Sequence, residues 1–195
     1  RAVQQARAVI VPGVGAAADT MANLRAGGLD EPLRDYIASG RPFLGVCMGM
    51  QALFDLSEEG GEHRCLAVLP GRIVRFPGGL TVPHMGWNQV HLVQQHPVFA
   101  DIEQDSHFYF VHSYHVVPRE ESVVAARTDH GGEFVSAIAR GNLVVRRVLL
   151  TIAALDGAIR ARPVVGRLPM TCSSNSARVP EPFSRVMTAI GRSAP

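Results

Sequence analysis

Short apolar runs alternate with amphipathic stretches through the first third of the chain. Ala8-Val9-Ile10-Val11 is an apolar run closed by Pro12-Gly13, the pattern of a buried strand entering a glycine loop. Residues 19 to 39 carry a helical pattern interrupted at Gly27-Gly28. The second piece has Asp30 as N-cap, Pro32 in the first turn, Leu33, Tyr36 and Ile37 on one face, and Gly40 as its stop. Phe43 to Val46 predicts the next strand, and Met48 to Leu56 the helix after it. Strand–helix–strand–helix at this spacing predicts a parallel sheet with right-handed crossovers.

The rhythm then changes. Arg72 to Phe76, Gln89 to Val93, Phe108 to Val117, Ser122 to Arg127 and Phe134 to Arg140 are β-rich segments separated by Gly, Pro or Asp signals. After about Val145 it changes again: "RRVLLTIAALDGAIRARPVVGRLP" predicts a short helix, and "MTCSSNSARVPEPFSR" reads as loop or disorder. The division is a domain over 1–144 and a tail over 145–195.

Charge marks the same boundary. Residues 1–144 hold 11 Arg and 15 acidic residues, whereas 145–195 hold 8 Arg and only Asp156 and Glu181. A basic tail invites nucleic acid or a membrane surface, but this one has Phe183 as its single aromatic and no recognition motif, so neither partner is expected. With 47% apolar and 18% charged residues the chain has a globular composition, and no apolar run reaches transmembrane length. Cys47, Cys65 and Cys172 are too few for a disulfide framework and lack CxxC spacing, which favours a reducing, cytoplasmic compartment.

One of these cysteines stands in a chemical context. In "RPFLGVCMGMQ", 41 to 51, Gly45 and Gly49 lie two residues either side of Cys47, between a strand and a helix. A lone cysteine is ordinarily a small core residue. This spacing instead has the form of a nucleophile elbow, with a helix start behind Met48 that favours thiolate. "VPGVG", 11 to 15, is either a tight strand-to-helix turn or an oxyanion hole whose donors are the N–H of Val14 or Gly15 together with that of Met48. "HFYFVHSYHV", 107 to 116, sets His107, Tyr109, Val111, Ser113 and His115 on one face and Phe108, Phe110, His112 and Tyr114 on the other. Its histidines read as solvated or hydrogen-bonded, and no metal or other cofactor is expected. Trp87, the only tryptophan, reads as core packing or as a partner-binding aromatic.

Together, "PGVG", "GVCMGMQ", "PHMGWN" and "YFVHSY" resemble the class I glutamine amidotransferases, and more narrowly the glutaminase subunits of imidazole glycerol phosphate synthase, over about residues 1 to 144. The resemblance implies an α/β three-layer, flavodoxin-like fold with a mixed central sheet, its first strand missing here. It makes Cys47 the nucleophile that attacks the glutamine side-chain amide. Val14, Gly15 and Met48 match the oxyanion hole, while Gln51, Ser113 and Tyr114 match positions that hold L-glutamine. It further implies a heterodimer with a (β/α)8-barrel synthase subunit, which takes ammonia to a ribulosyl-phosphate substrate in histidine biosynthesis, with Met85, Trp87 and Tyr109 toward that interface. The family carries His-Pro-Glu just after the strand that "GNLVV" resembles, its His the general base. Here Arg146-Arg147-Val148-Leu149 follows, and no histidine occurs after His130. An out-of-frame or altered C-terminus fits that departure. The alternatives are therefore a catalytically impaired subunit that only docks on the synthase, and a glutaminase serving another acceptor.

Overall fold

The computed structural model describes residues 2–145, and the backbone alone of 146, 150–155 and 158–163. Helix α1 (Ala2–Gln5) leads into β1 (Val9–Val11), then helices α2 (Ala17–Ala26) and α3 (Asp30–Ala38), strand β2 (Phe43–Val46) and helix α4 (Met48–Gln51). Strands β3 (Leu56–Ser57), β4 (His63–Arg64), β5 (Gly71–Arg75), β6 (His84–Leu92), β7 (Ser106–His112), β8 (Tyr114–Pro118), β9 (Val124–Asp129), β10 (Glu133–Arg140) and β11 (Leu143–Arg146) follow. Two more, β12 (Leu150–Leu155) and β13 (Ala158–Pro163), are described by backbone only.

The sheet is mixed. Strand β2 lies between β1 and β11, parallel to both, with Gly45 opposite Val11 on one side and Val145 on the other. Antiparallel pairings extend it through β10, β8 and β5. A further limb runs from β9 through β6 to β7. Strands with both faces covered need apolar residues on both, and β2 shows this. Phe43 enters a core shared with Tyr36, Met50, Leu53 and Ile138, while Leu44 packs against a second core built on Phe76, Phe108, Phe110, Phe134 and Val144. Helices α2 and α3 contribute Met21, Leu33 and Tyr36 to the first core; the β6–β7 ribbon contributes Val90, Phe108 and Phe110 to the second. This is the expected flavodoxin-like α/β arrangement around a mixed sheet.

Several boundaries differ from the sequence pattern. Helix α3 takes Leu29 rather than Asp30 as its N-cap, because the Leu29 N–H already bonds the Leu24 carbonyl at 2.8 Å and carries the chain straight from one helix into the next. Asp30 and Glu31 instead occupy the first turn, where carboxylates favour the helix dipole. Helix α4 stops at Gln51 rather than reaching Leu56: the neighbours Leu53 and Phe54 are both fully buried, and the chain bends inward over them. The strand expected over 108–117 is divided at Ser113, where the chain leaves its pairing with β6 for one with β5. The short helix expected within the tail is corrected: 150–155 and 158–163 pair as antiparallel strands, the first laid along the edge of β7. The loop or disorder expected for "MTCSSNSARVPEPFSR" lies outside the described residues.

Candidate active site

Strand β2 delivers the chain to the sheet edge, and Cys47 turns it into α4 with φ 54° and ψ −108°. A cysteine at positive φ is held there against its own preference, a cost of about 1–3 kcal/mol that surrounding structure must offset. The glycine box shows how it does so. A Cβ on Gly45 would stand 2.6 Å from the Gly49 carbonyl oxygen and 2.7 Å from Cγ1 of Val145. A Cβ on Gly49 would collide with the Val11 carbonyl. Both glycines are therefore demanded by space: one lets β11 close against β2, the other lets β1 close against the elbow helix. The Cys47 carbonyl then accepts from the N–H groups of Met50 at 3.0 Å and Gln51 at 3.2 Å, completing the turn.

The "PGVG" loop reaches the elbow through Gly13. Its carbonyl accepts from the Met48 N–H at 3.4 Å, and a Cβ on Gly13 would stand 2.5 Å from that of Met48. Val14 is 82% exposed, and Gly15 has φ +99°, a conformation that glycine adopts freely. The loop thus meets the elbow through Gly13, with the Met48 donor turned toward the Gly13 carbonyl.

Among the residues expected to hold substrate, Gln51 is buried one turn after Cys47. Ser113 and Tyr114 lie where β7 passes into β8. The Ser113 carbonyl accepts from the Phe76 N–H at 3.2 Å, and the Tyr114 side chain packs on the same core as Met50 of α4. Strand β11 runs beside β2 with Arg146 opposite Val46, one residue before Cys47.

Away from the elbow, Met85 is 60% and Trp87 42% exposed on the outer face of β6. Across the ribbon, Tyr109 stands opposite Trp87 and meets its ring edge-on with centroids 5.2 Å apart. The fully packed alternative for Trp87 does not hold. Cys65 differs from Cys47: it is buried in the first core, and burial pushes its thiol up to about 11.

Sequence pattern alone missed the grouping of His84, His112, His115 and His130 around Phe76, with His84 and His130 stacked at 4.1 Å. The available signal was the buried parity of His84 and His112, which share alternating positions with Val90, Phe108 and Phe110. Their strands are paired so that His84 faces His112 directly.

Three comparisons bear on this arrangement. The chain is 49% identical over 149 residues to the imidazole glycerol phosphate synthase subunit HisH of Syntrophotalea carbinolica, covering 73% of this chain and 72% of that one. It is 51% identical over 141 residues to the HisH subunit of Moorella thermoacetica, covering 72% and 67%. A crystal structure of a glutamine amidotransferase superposes with a TM-score of 0.53 at 22% identity, over 72% of this chain and 68% of that one, a likeness of fold. The profile described as "Glutamine amidotransferase class-I" matches residues 2–145, the span that holds the elbow, its glycine box and the buried histidines. The chain belongs to the class-I glutamine amidotransferase family.

Proposed function

We propose that this chain is the glutaminase subunit of an imidazole glycerol phosphate synthase, with Cys47 as its nucleophile. The observation that carries the assignment of Cys47 is its strained backbone at the end of a central parallel strand, held by glycines that leave no room for a side chain. In this reading the Cys47 thiolate attacks the side-chain amide carbon of L-glutamine. The carbon–sulfur bond forms while the carbonyl π-electrons move to oxygen. Collapse of the tetrahedral intermediate expels the amide nitrogen, which leaves as ammonia after taking a proton. Water then cleaves the thioester to give glutamate and restore the thiol.

The oxyanion is met by N–H groups of Met48 and of Val14 or Gly15. The bond from Met48 to Gly13 is longer than an ordinary N–H···O bond, so exchanging it for an oxyanion gives up little. Gln51, Ser113 and Tyr114 hold the substrate. Met85, Trp87 and Tyr109 form the apolar face that docks on a (β/α)8-barrel synthase subunit, to which the ammonia passes. The working compartment in this reading is the cytoplasm.

A second reading, a docking subunit with impaired turnover, is favoured by one observation: no histidine follows His130, where the family has its base. Positioned acid–base catalysis is typically worth about 10²–10⁴-fold, so a chain without it turns over slowly but not at zero. Steady-state ammonia release from L-glutamine, with the synthase subunit and its ribulosyl-phosphate substrate present, decides between them. A slow rate abolished by Cys47→Ala supports an impaired glutaminase. Binding of the synthase with no Cys47-dependent ammonia leaves the docking role alone, and a rate equal to an intact relative's requires another base.

A further inference from the structure

His112 Nδ1 lies 2.9 Å from the Tyr114 carbonyl oxygen, which can only accept, so that nitrogen carries the proton. In a neutral ring Nε2 is then an acceptor, and its partner at 3.2 Å, His84 Nδ1, is the donor. His84 Nε2 accepts in turn from Asn88 Nδ2 at 3.2 Å. The Asn88 amide is fixed independently: Nδ2 also donates to the Asp129 carbonyl at 2.7 Å, and Oδ1 accepts from the Gln89 N–H at 2.8 Å. The Tyr114 carbonyl at one end and the Asn88 amide at the other impose the same protonation pattern. The chain Asn88–His84–His112–Tyr114 is satisfied in one tautomeric state, with both ring nitrogens of each histidine engaged.

Its surroundings make that state rigid. His84 and His112 are buried. Phe110 stacks on His84 at 4.9 Å, and Phe76 and Phe134 each flank His112 at 5.1 Å. A buried hydrogen-bond chain holds the atoms at its ends. One end is the Tyr114 carbonyl, adjacent to the Ser113 carbonyl that Phe76 already holds. The other lies on β6, whose opposite face carries Met85 and Trp87.

We propose that His84 and His112 are positioning residues that hold the Ser113–Tyr114 backbone in the conformation that receives glutamine. The proposal rests on the assignment of Ser113 and Tyr114 to the substrate site. In this role each histidine acts through the Tyr114 carbonyl.

The test measures the L-glutamine concentration that halves the rate of Cys47 alkylation by iodoacetamide, followed on the Cys47 peptide by mass spectrometry. His112→Asn keeps an N–H at the Nδ1 position, whereas His112→Gln moves its amide to the Nε2 position and abandons the Tyr114 carbonyl. His112→Gln is expected to raise the half-protecting concentration about tenfold, the effect of leaving one buried acceptor unpaired, and His112→Asn to stay near the parent value. The glutamine-free alkylation rate is expected to be unchanged in both. A merely structural role would move both variants alike. Should His112→Gln fail to fold, His84→Leu removes the next donor and is expected to raise the same concentration about threefold, with His84→Asn restoring it. Protection equal to the parent's in His112→Gln, or in His84→Leu where that variant replaces it, overturns the relay. Absence of glutamine protection in the parent chain overturns the substrate-site assignment itself, and the relay with it.

Discussion

The Val11 carbonyl oxygen and Gly49 are packed so closely that no side chain fits between them. This contact joins the end of β1 to the elbow helix and sets where Cys47 emerges. Gly49→Ala is therefore expected to destabilise the fold by about 1–3 kcal/mol, as overpacking does, and to disturb the elbow. Gly78→Ala, where a Cβ meets nothing within 4 Å, is expected to be neutral or slightly stabilising. Denaturant midpoints of the two variants check the contrast.

Stability is expected to fall in mild acid because of His84. Burial first, and then the charge of His130, hold its pKa down at about 4, from an ordinary value of 6.5. The unfolded chain therefore binds a proton at this site between those values and the folded chain does not. The contribution is complete above about pH 6.5 and is lost as pH falls toward 4, amounting to roughly 3 kcal/mol. The imidazoles packed against it are those of His112, 3.2 Å away nitrogen to nitrogen, and His130, stacked at 4.1 Å. Denaturant midpoints measured from pH 7.5 to 4.5 should decline in the parent and decline less in His84→Asn; parallel profiles would show that His84 is not the group responsible.

Trp87→Ala is expected to weaken binding of the synthase subunit by tenfold or more, the behaviour of a central aromatic at an interface, while leaving the thermal midpoint nearly unchanged because the ring is partly exposed. Calorimetric titration of the two subunits provides the measurement. Unaltered affinity would remove the β6–β7 face from the interface.

The core of the site was legible because its signals are local. Phe43–Val46 is a short apolar run with a glycine-flanked turn behind it, and the strand has those bounds. Gly45 and Gly49 mark the elbow in sequence, although only the fold reveals Val11 and Val145 as the neighbours that exclude a side chain. Helix α4 is shorter than its pattern, which continues to Leu56, because the adjacent Leu53 and Phe54 are buried by a bend that local propensity does not encode. The histidine relay was hidden for a related reason. His84 and His112 lie 28 positions apart, and only the register of β6 on β7 sets them side by side.

The most direct measurement is to treat the chain with a glutamine-analogue electrophile and identify the modified cysteine by mass spectrometry, with and without L-glutamine. Cys65 is buried, its thiol pushed up to about 11, and it presents little thiolate at neutral pH. Cys47 is partly exposed at the elbow. The account predicts modification of Cys47 in preference to Cys65 and Cys172, slowed by L-glutamine. Preferential modification of Cys65 or Cys172, or modification of Cys47 that glutamine does not slow, would contradict it.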